Sequence, residues 1–262
     1  MTVSGKNFSM DYVTFGSGPR ALVILPGMSL LPVTPNADAV AAAYASFAGT
    51  HTVYLFDRKR DIRPGYTVSD MADDTAAAMR SIGISDADVF GASQGGMIAQ
   101  LLAARCPELV RRLVLGSSAA FMCPRAAAVM QRWHDLAVAG DRRELNRDVF
   151  RRVYSDAYRT GYRDAFLALE DLGGPDDLAR FAILASACLS FDSRASLPAV
   201  RCPVFVIGSR NDETLFPESS EYLAEALGAP LYLYDGYSHA VYDEAPDYRE
   251  HLSGFFSADQ EK

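Results

Sequence analysis

The sequence predicts an α/β fold built on a largely parallel sheet. Two observations predict it. Short apolar runs alternate with segments patterned for helices, the rhythm left by successive strand–helix units. That alternation stops over residues 121–196, where only helical patterning is found, and then resumes.

Taken in order, Tyr12–Phe15 and Arg20–Leu25 read as strands, split by the turn Gly16-Ser17-Gly18-Pro19. Ala37–Phe47 reads as a helix, and His51–Phe56 as a strand ending at Asp57, which is expected to organise the turn with Arg58. Val68–Ile82 is a helix, with Ser69 as its N-cap and Gly83 just past its end. Asp88–Ala92 is a strand, Gly95–Arg105 a helix closed before Pro107, and Arg112–Leu115 a strand. From Phe121 to Ser196 the pattern is helical and rich in arginine and aromatic residues, with a break at Gly173-Gly174-Pro175. Strand Val204–Ile207, helix Glu218–Leu227, strand Leu231–Tyr234 and helix Asp247–Phe256 complete the chain. The expected organisation is one core domain from 1–120 and 197–262, with a helical cap, 121–196, inserted in it.

A chain of 262 residues, 49% hydrophobic, can bury a sizeable core. The net charge of −8 disfavours nucleic acid and anionic membranes as partners, by repulsion. The longest apolar stretches, such as Ala21–Pro26 and Leu101–Ala104, are far below membrane-spanning length. No early segment joins a basic start, an apolar run and a small-residue cleavage site, so a soluble cytoplasmic protein is expected. Cys106, Cys123, Cys188 and Cys202 form no CxxC pair, and neither a zinc site nor disulfides are expected. No phosphate loop or dinucleotide fingerprint is present, so the expectation is a small-molecule substrate and no metal or cofactor.

One motif carries chemistry. Gly91-Ala92-Ser93-Gln94-Gly95 fits G-x-S-x-G, follows a strand and opens a helix. A serine at such a turn is held in a strained backbone conformation with its hydroxyl raised above the sheet, and the flanking glycines avoid collisions with neighbouring backbone. Ser93 is the candidate nucleophile. A serine needs a general base, and there are four histidines. His51 begins a strand, His134 lies in the helical insertion and His251 sits in a charged run of the last helix. His239, in Asp235-Gly236-Tyr237-Ser238-His239, alone follows a strand, where catalytic groups of such sheets gather. An anion is needed to fix the imidazole tautomer. Asp212, in the loop after Val204–Ile207, is the candidate, with Glu213 as the alternative one residue on. Two N–H donors must meet a developing oxyanion. They are assigned to Gln94, after the nucleophile, and Met28, in Pro26-Gly27-Met28-Ser29.

These motifs, with Asp57-Arg58, Tyr66–Asp74 and the order Ser93, Asp212, His239, resemble the α/β-hydrolase superfamily in its capped, single-chain form. The resemblance spans nearly the whole chain. It implies an eight-stranded, mostly parallel sheet and a cap over the site. Pro26 stands where many members have histidine, and Pro217 lies farther beyond the acid than in many members. A serine at the elbow argues against the dehalogenase and epoxide-hydrolase branches, which use aspartate. The expected function is cleavage of a carboxylic ester, or related acyl bond, of a small to medium, partly apolar substrate. Met122, Met130, Trp133, Phe181 and Leu184 are candidates to line its pocket, although the insertion's own core would need the same helical spacing. A carbon–carbon bond hydrolase would use the same triad, with a cap arginine (Arg142, Arg143, Arg147, Arg151 or Arg152) for a substrate carboxylate. A low-turnover small-molecule receptor of the same fold is the remaining alternative.

Overall fold

The computed structural model describes residues 1–5 and 8–258. The chain opens with β1 (Thr2–Ser4), β2 (Ser9–Phe15) and β3 (Arg20–Leu25), followed by α1 (Ala37–Ala43) and β4 (His51–Lys59). Next come α2 (Val68–Ser81), β5 (Ala87–Ala92), α3 (Gln94–Arg105) and β6 (Val110–Gly116). Five helices then succeed one another: α4 (Pro124–Ala139), α5 (Arg142–Val153), α6 (Asp156–Gly161), α7 (Arg163–Leu169) and α8 (Pro175–Leu189). The remainder is β7 (Val204–Ser209), α9 (Pro217–Leu227), β8 (Leu231–Tyr234), α10 (Val241–Glu244) and α11 (Tyr248–Ser257).

The eight strands form one sheet in the order β1-β2-β4-β3-β5-β6-β7-β8. The β1–β2 and β2–β4 pairs are antiparallel, and from β4 to β8 every pair is parallel. The sequence explains the difference. Central strand β5 is buried at every position because helices cover both its faces, whereas β2 alternates between covered and partly open positions. One apolar layer joins the sheet to α2, α3 and α9 through Met71, Met79, Ile98, Leu102 and Leu223. The other holds Tyr44, Phe47, Tyr248, Leu252 and Phe256 against the opposite face. Helix α3 is buried nearly all round, which its apolar sequence permits.

Two expectations are corrected. The helix over Val68–Ser81 is capped by Thr67, not Ser69: Thr67 Oγ1 accepts from Asp70 N at 3.2 Å, and Asp70 Oδ2 accepts from Thr67 N at 2.8 Å. This reciprocal pair satisfies two helix-terminal donors, while Ser69 instead accepts from Arg105 at 2.8 Å. The start of the chain, with no strand signal of its own, adds β1 by pairing with β2.

Between Gly116 and Val204 the described chain contains helices and no named strand. An antiparallel bridge from Phe121 to Asp192 draws the two ends of this excursion together. Within it, Trp133 Nε1 donates to Asp148 at 2.9 Å, tying α4 to α5. At the far end of the sheet, fully buried Asp88 accepts from Arg111 at 2.6 Å and pairs with His51 at 3.0 Å, and Arg111 also donates to the Phe256 carbonyl at 2.9 Å. His51 thus serves packing of α11 on the sheet. No described helix is long and apolar enough to cross a membrane.

The first turn of α3 packs on the end of β3 at Gly95. A Cβ there would overlap the Leu25 carbonyl and sit 2.5 Å from the Pro26 oxygen. Gly95→Ala is expected to cost about 1–3 kcal/mol of stability, typical of overpacking against backbone. A urea-unfolding midpoint equal to that of the wild type would refute the close approach.

Candidate active site

Strand β5 passes into α3 through Ser93, whose backbone sits at φ 51°, ψ −119°. Side chains rarely adopt this region, so the surroundings must hold it. Ser93 N donates to Gly116 O at 2.8 Å. Its carbonyl accepts from Gly96 N at 2.9 Å and from Ser118 Oγ at 2.8 Å. From Ala87 to Ala103, Ser93 is the one residue not fully buried. The first N–H groups of α3, including that of Gln94, have no acceptor within the helix and carry its positive dipole end.

Asp212, past the end of β7, and His239, past the end of β8, are 4% and 3% exposed. His239 Nδ1 lies 2.7 Å from Asp212 Oδ2. The other carboxylate oxygen accepts from Thr214 N at 2.7 Å and Leu215 N at 3.0 Å. Burial by itself would raise the Asp212 carboxyl, but His239 and these two N–H donors hold it below its ordinary value. With Nδ1 engaged, Nε2 is the ring nitrogen left for chemistry. Glu213 turns instead to Arg151, at 3.3 Å. The residues on either side of His239 are both bonded to the end of α5: Ser238 Oγ donates to Arg152 O at 2.6 Å, and Ala240 N to Val153 O at 2.8 Å.

The loop after β3 lies against the nucleophile turn. A Cβ on Gly27 would stand 3.3 Å from Ser93 Cβ and 3.6 Å from the Tyr242 hydroxyl. Ser93, His239, Gly27 and Met28 all line one cavity of about 470 Å³. Of the five residues proposed for the pocket, Met130, Trp133 and Phe181 line it too. Met122 and Leu184 do not, which corrects the expectation. Met122 is half-buried against the main core, and Leu184 is fully buried in it, its carbonyl accepting from Gln94 Nε2 at 3.0 Å. No arginine of residues 121–196 lines the cavity. Arg143 and Arg147 pair with Glu170, Arg151 and Arg152 with Asp148, and Arg142 donates to Gly173 O at 3.4 Å. A separate open groove of about 700 Å³ runs along α4 and α8; Arg142 lines it, but Ser93, Asp212, His239, Gly27 and Met28 do not.

Residues 22–248 match the model of the alpha/beta hydrolase family. The chain belongs to that family. A 2-hydroxymuconate semialdehyde hydrolase of Pseudomonas putida is 27% identical over 190 residues, which cover 66% of this chain and 63% of the relative. Among solved structures, MGS-M2, an alpha/beta hydrolase enzyme from a Medee basin deep-sea metagenome library, superposes with a TM-score of 0.88 at 22% identity, over 100% of this chain and 98% of that one. An enol-lactonase from Burkholderia xenovorans LB400 gives 0.86 at 20% identity, over 98% and 100%. Both structures speak to the fold.

Three residues of this alpha/beta hydrolase's site escaped the sequence reading. Buried Arg58 donates to the Pro26 carbonyl at 2.5 Å and to Gln94 Oε1 at 3.3 Å, so one guanidinium joins both segments assigned to the oxyanion. Desolvation pushes its pKa down to about 10. Its sequence signal was the Asp57-Arg58 pair, which carries part of the resemblance but assigns it no role at the site. Asp57 itself accepts from Val33 N at 2.8 Å and Thr34 N at 3.0 Å, shaping the loop after β3 rather than a turn at Arg58. Tyr242 and Asp243 line the cavity from α10, which was not expected as a helix.

The Asp212–His239 pair has a stability consequence. Because the folded pKa of Asp212 lies below its ordinary 3.8, ionised Asp212 adds stability above that value, and this contribution is lost as pH falls through the lowered folded value. Asp212→Asn is expected to flatten the acid limb of the unfolding free energy between about pH 5 and pH 2, measured by urea titration. An acid limb parallel to that of the wild type would contradict the pairing.

Proposed function

We propose that this hydrolase cleaves a carboxylic ester, lactone or related acyl bond of a small to medium, partly apolar substrate, with Ser93 as nucleophile. One observation carries the reading. The strained Ser93 turn opens into the same cavity as His239, whose far ring nitrogen is held by Asp212 at 2.7 Å.

In the proposed mechanism His239 Nε2 takes the Ser93 proton as Oγ bonds to the substrate carbonyl carbon. The carbonyl oxygen becomes an oxyanion facing the N–H groups of Gln94 and Met28. Collapse breaks the bond to the leaving group, which takes the proton from His239 and departs. Water, deprotonated by the same imidazole, then attacks the acyl-enzyme, and expulsion of Ser93 Oγ with return of the proton restores the enzyme. Asp212 stabilises the imidazolium formed in each half. Arg58 acts at one remove, by holding the Pro26 carbonyl and the Gln94 side chain on which the two donors depend. Residues 121–196 are read as a cap that closes the cavity over Ser93.

The mainly apolar lining supports a partly apolar acyl group. Carbon–carbon cleavage would call on the same three side chains, but the arginine that would hold a substrate carboxylate is not among the lining residues. The receptor reading is weakened by an Asp–His pair already formed beside an accessible serine.

Short p-nitrophenyl esters test the proposal. Ser93→Ala is expected to lower kcat/KM by about 10³-fold or more, and to abolish labelling by a fluorophosphonate probe. Equal turnover by both proteins would sink the mechanism, and failure of the wild type to label would favour the receptor.

A further inference from the structure

The cavity that holds Ser93 carries one carboxylate and, among the described residues, no lysine or arginine in its lining. The carboxylate is Asp243, on α10, beside Tyr242. Asp243 lines the cavity and remains exposed. Its neighbour Glu244 is fully engaged, accepting from Ser155 N at 2.9 Å and Ser155 Oγ at 2.5 Å. The Asp243 carboxylate, by contrast, has a single long contact from the Tyr154 hydroxyl at 3.5 Å. The buried carboxylates Asp57 and Asp212 accept from backbone N–H groups, whereas exposed Asp243 keeps its oxygens open to solvent or to a ligand.

Aromatic rings share the cavity with it. Tyr44, Trp133, Phe150, Tyr154 and Tyr242 all line the same space. Ring faces carry partial negative charge and attract cations, above all where water is displaced. Arg249 is the nearest guanidinium. It lies over the Tyr44 ring, 5.5 Å from the centroid, and is not a lining residue.

Resting on the proposed Ser93 chemistry, we infer that the cavity selects acyl substrates bearing an organic cation, such as an ammonium group, which Asp243 and the surrounding rings receive while anionic acids are turned away. Desolvation, reinforced by Glu244, pushes the Asp243 carboxyl up to about 6 against the pull of Arg249, Tyr154 and His239, so it is still largely ionised at neutral pH.

Trp133 is the sole tryptophan of the chain and lines the cavity, so its fluorescence reads occupancy without turnover. Three probes of similar shape are titrated at pH 7.5: 4-phenylbutyltrimethylammonium, 4-phenylbutanol and 5-phenylpentanoate. The cation is expected to bind at least about tenfold more tightly than the anion, with the alcohol between them. Asp243→Asn should bring cation and anion to within about twofold. Glu225→Gln, which removes one charge at an exposed position of α9, should leave the wild-type ratio unchanged. Wild-type binding of the anion as tight as that of the cation overturns the inference without any variant, as does a ratio that survives Asp243→Asn. Since the titration does not involve Ser93 chemistry, failure of the ester assay and failure of this preference are separate outcomes.

Discussion

The site depends on one close approach of backbone to backbone. At the end of β5 the chain reverses into α3 through a residue with positive φ, and the turn has room only because β3 and β6 meet it without intervening side chains. Gly95 lets α3 touch the Leu25 carbonyl, and Gly27 lets the next loop lie against Ser93. The cost of the strained conformation is met by hydrogen bonds from both sides, Ser93 N to Gly116 and Ser118 Oγ to the Ser93 carbonyl. The parallel centre of the sheet makes this possible, since it aligns the ends of β3, β5, β6, β7 and β8 on one rim.

On that rim, the helical excursion both lines the cavity and is joined to the loops of the candidate site. The last turn of α5 accepts hydrogen bonds from the residues that flank His239, and Arg152 donates to the Glu213 carbonyl at 3.3 Å, next to Asp212. Val153 and Tyr154, at the same helix end, line the cavity. Substrate contacts and the loops of the proposed acid and base therefore share one short segment. From the other side, Gln94 donates to the Leu184 carbonyl and to Cys188 Sγ on α8. Two helices of the excursion thus bear on the two halves of the proposed catalytic machinery.

Charge is arranged with similar economy. Arg143, Arg147, Arg151 and Arg152 of the excursion pair with Asp148, Glu170 and Glu213, and the cavity wall is apolar, aromatic and singly acidic. Arg58, the buried guanidinium near the site, is spent on backbone and amide oxygens. An acidic chain with no basic cavity wall is poorly matched to anionic ligands.

Much of this was legible beforehand, and the reason is local. Strand and helix periods, the glycines around Ser93 and the positions of Asp212 and His239 after their strands are short-range signals, so the sequence by itself determined the α/β class, the elbow and the residues to consider. It could not separate the lining role of Met130, Trp133 and Phe181 from the core role of Leu184, because both follow the same helical spacing and differ only in what packs opposite. The sequence suggested Ser69 as the cap of α2, but Asp70 reaches back to Thr67 instead. Tyr242 and Asp243 carried no motif, and Arg58 only the Asp57-Arg58 pair, which gave no hint of its partners, since their roles arise from contacts with segments far away in the chain, or with open space. Those contacts, together with the α5 hold on the His239 loop, were decided by tertiary structure alone, because packing and cavity shape are properties of surfaces brought together only when the chain folds.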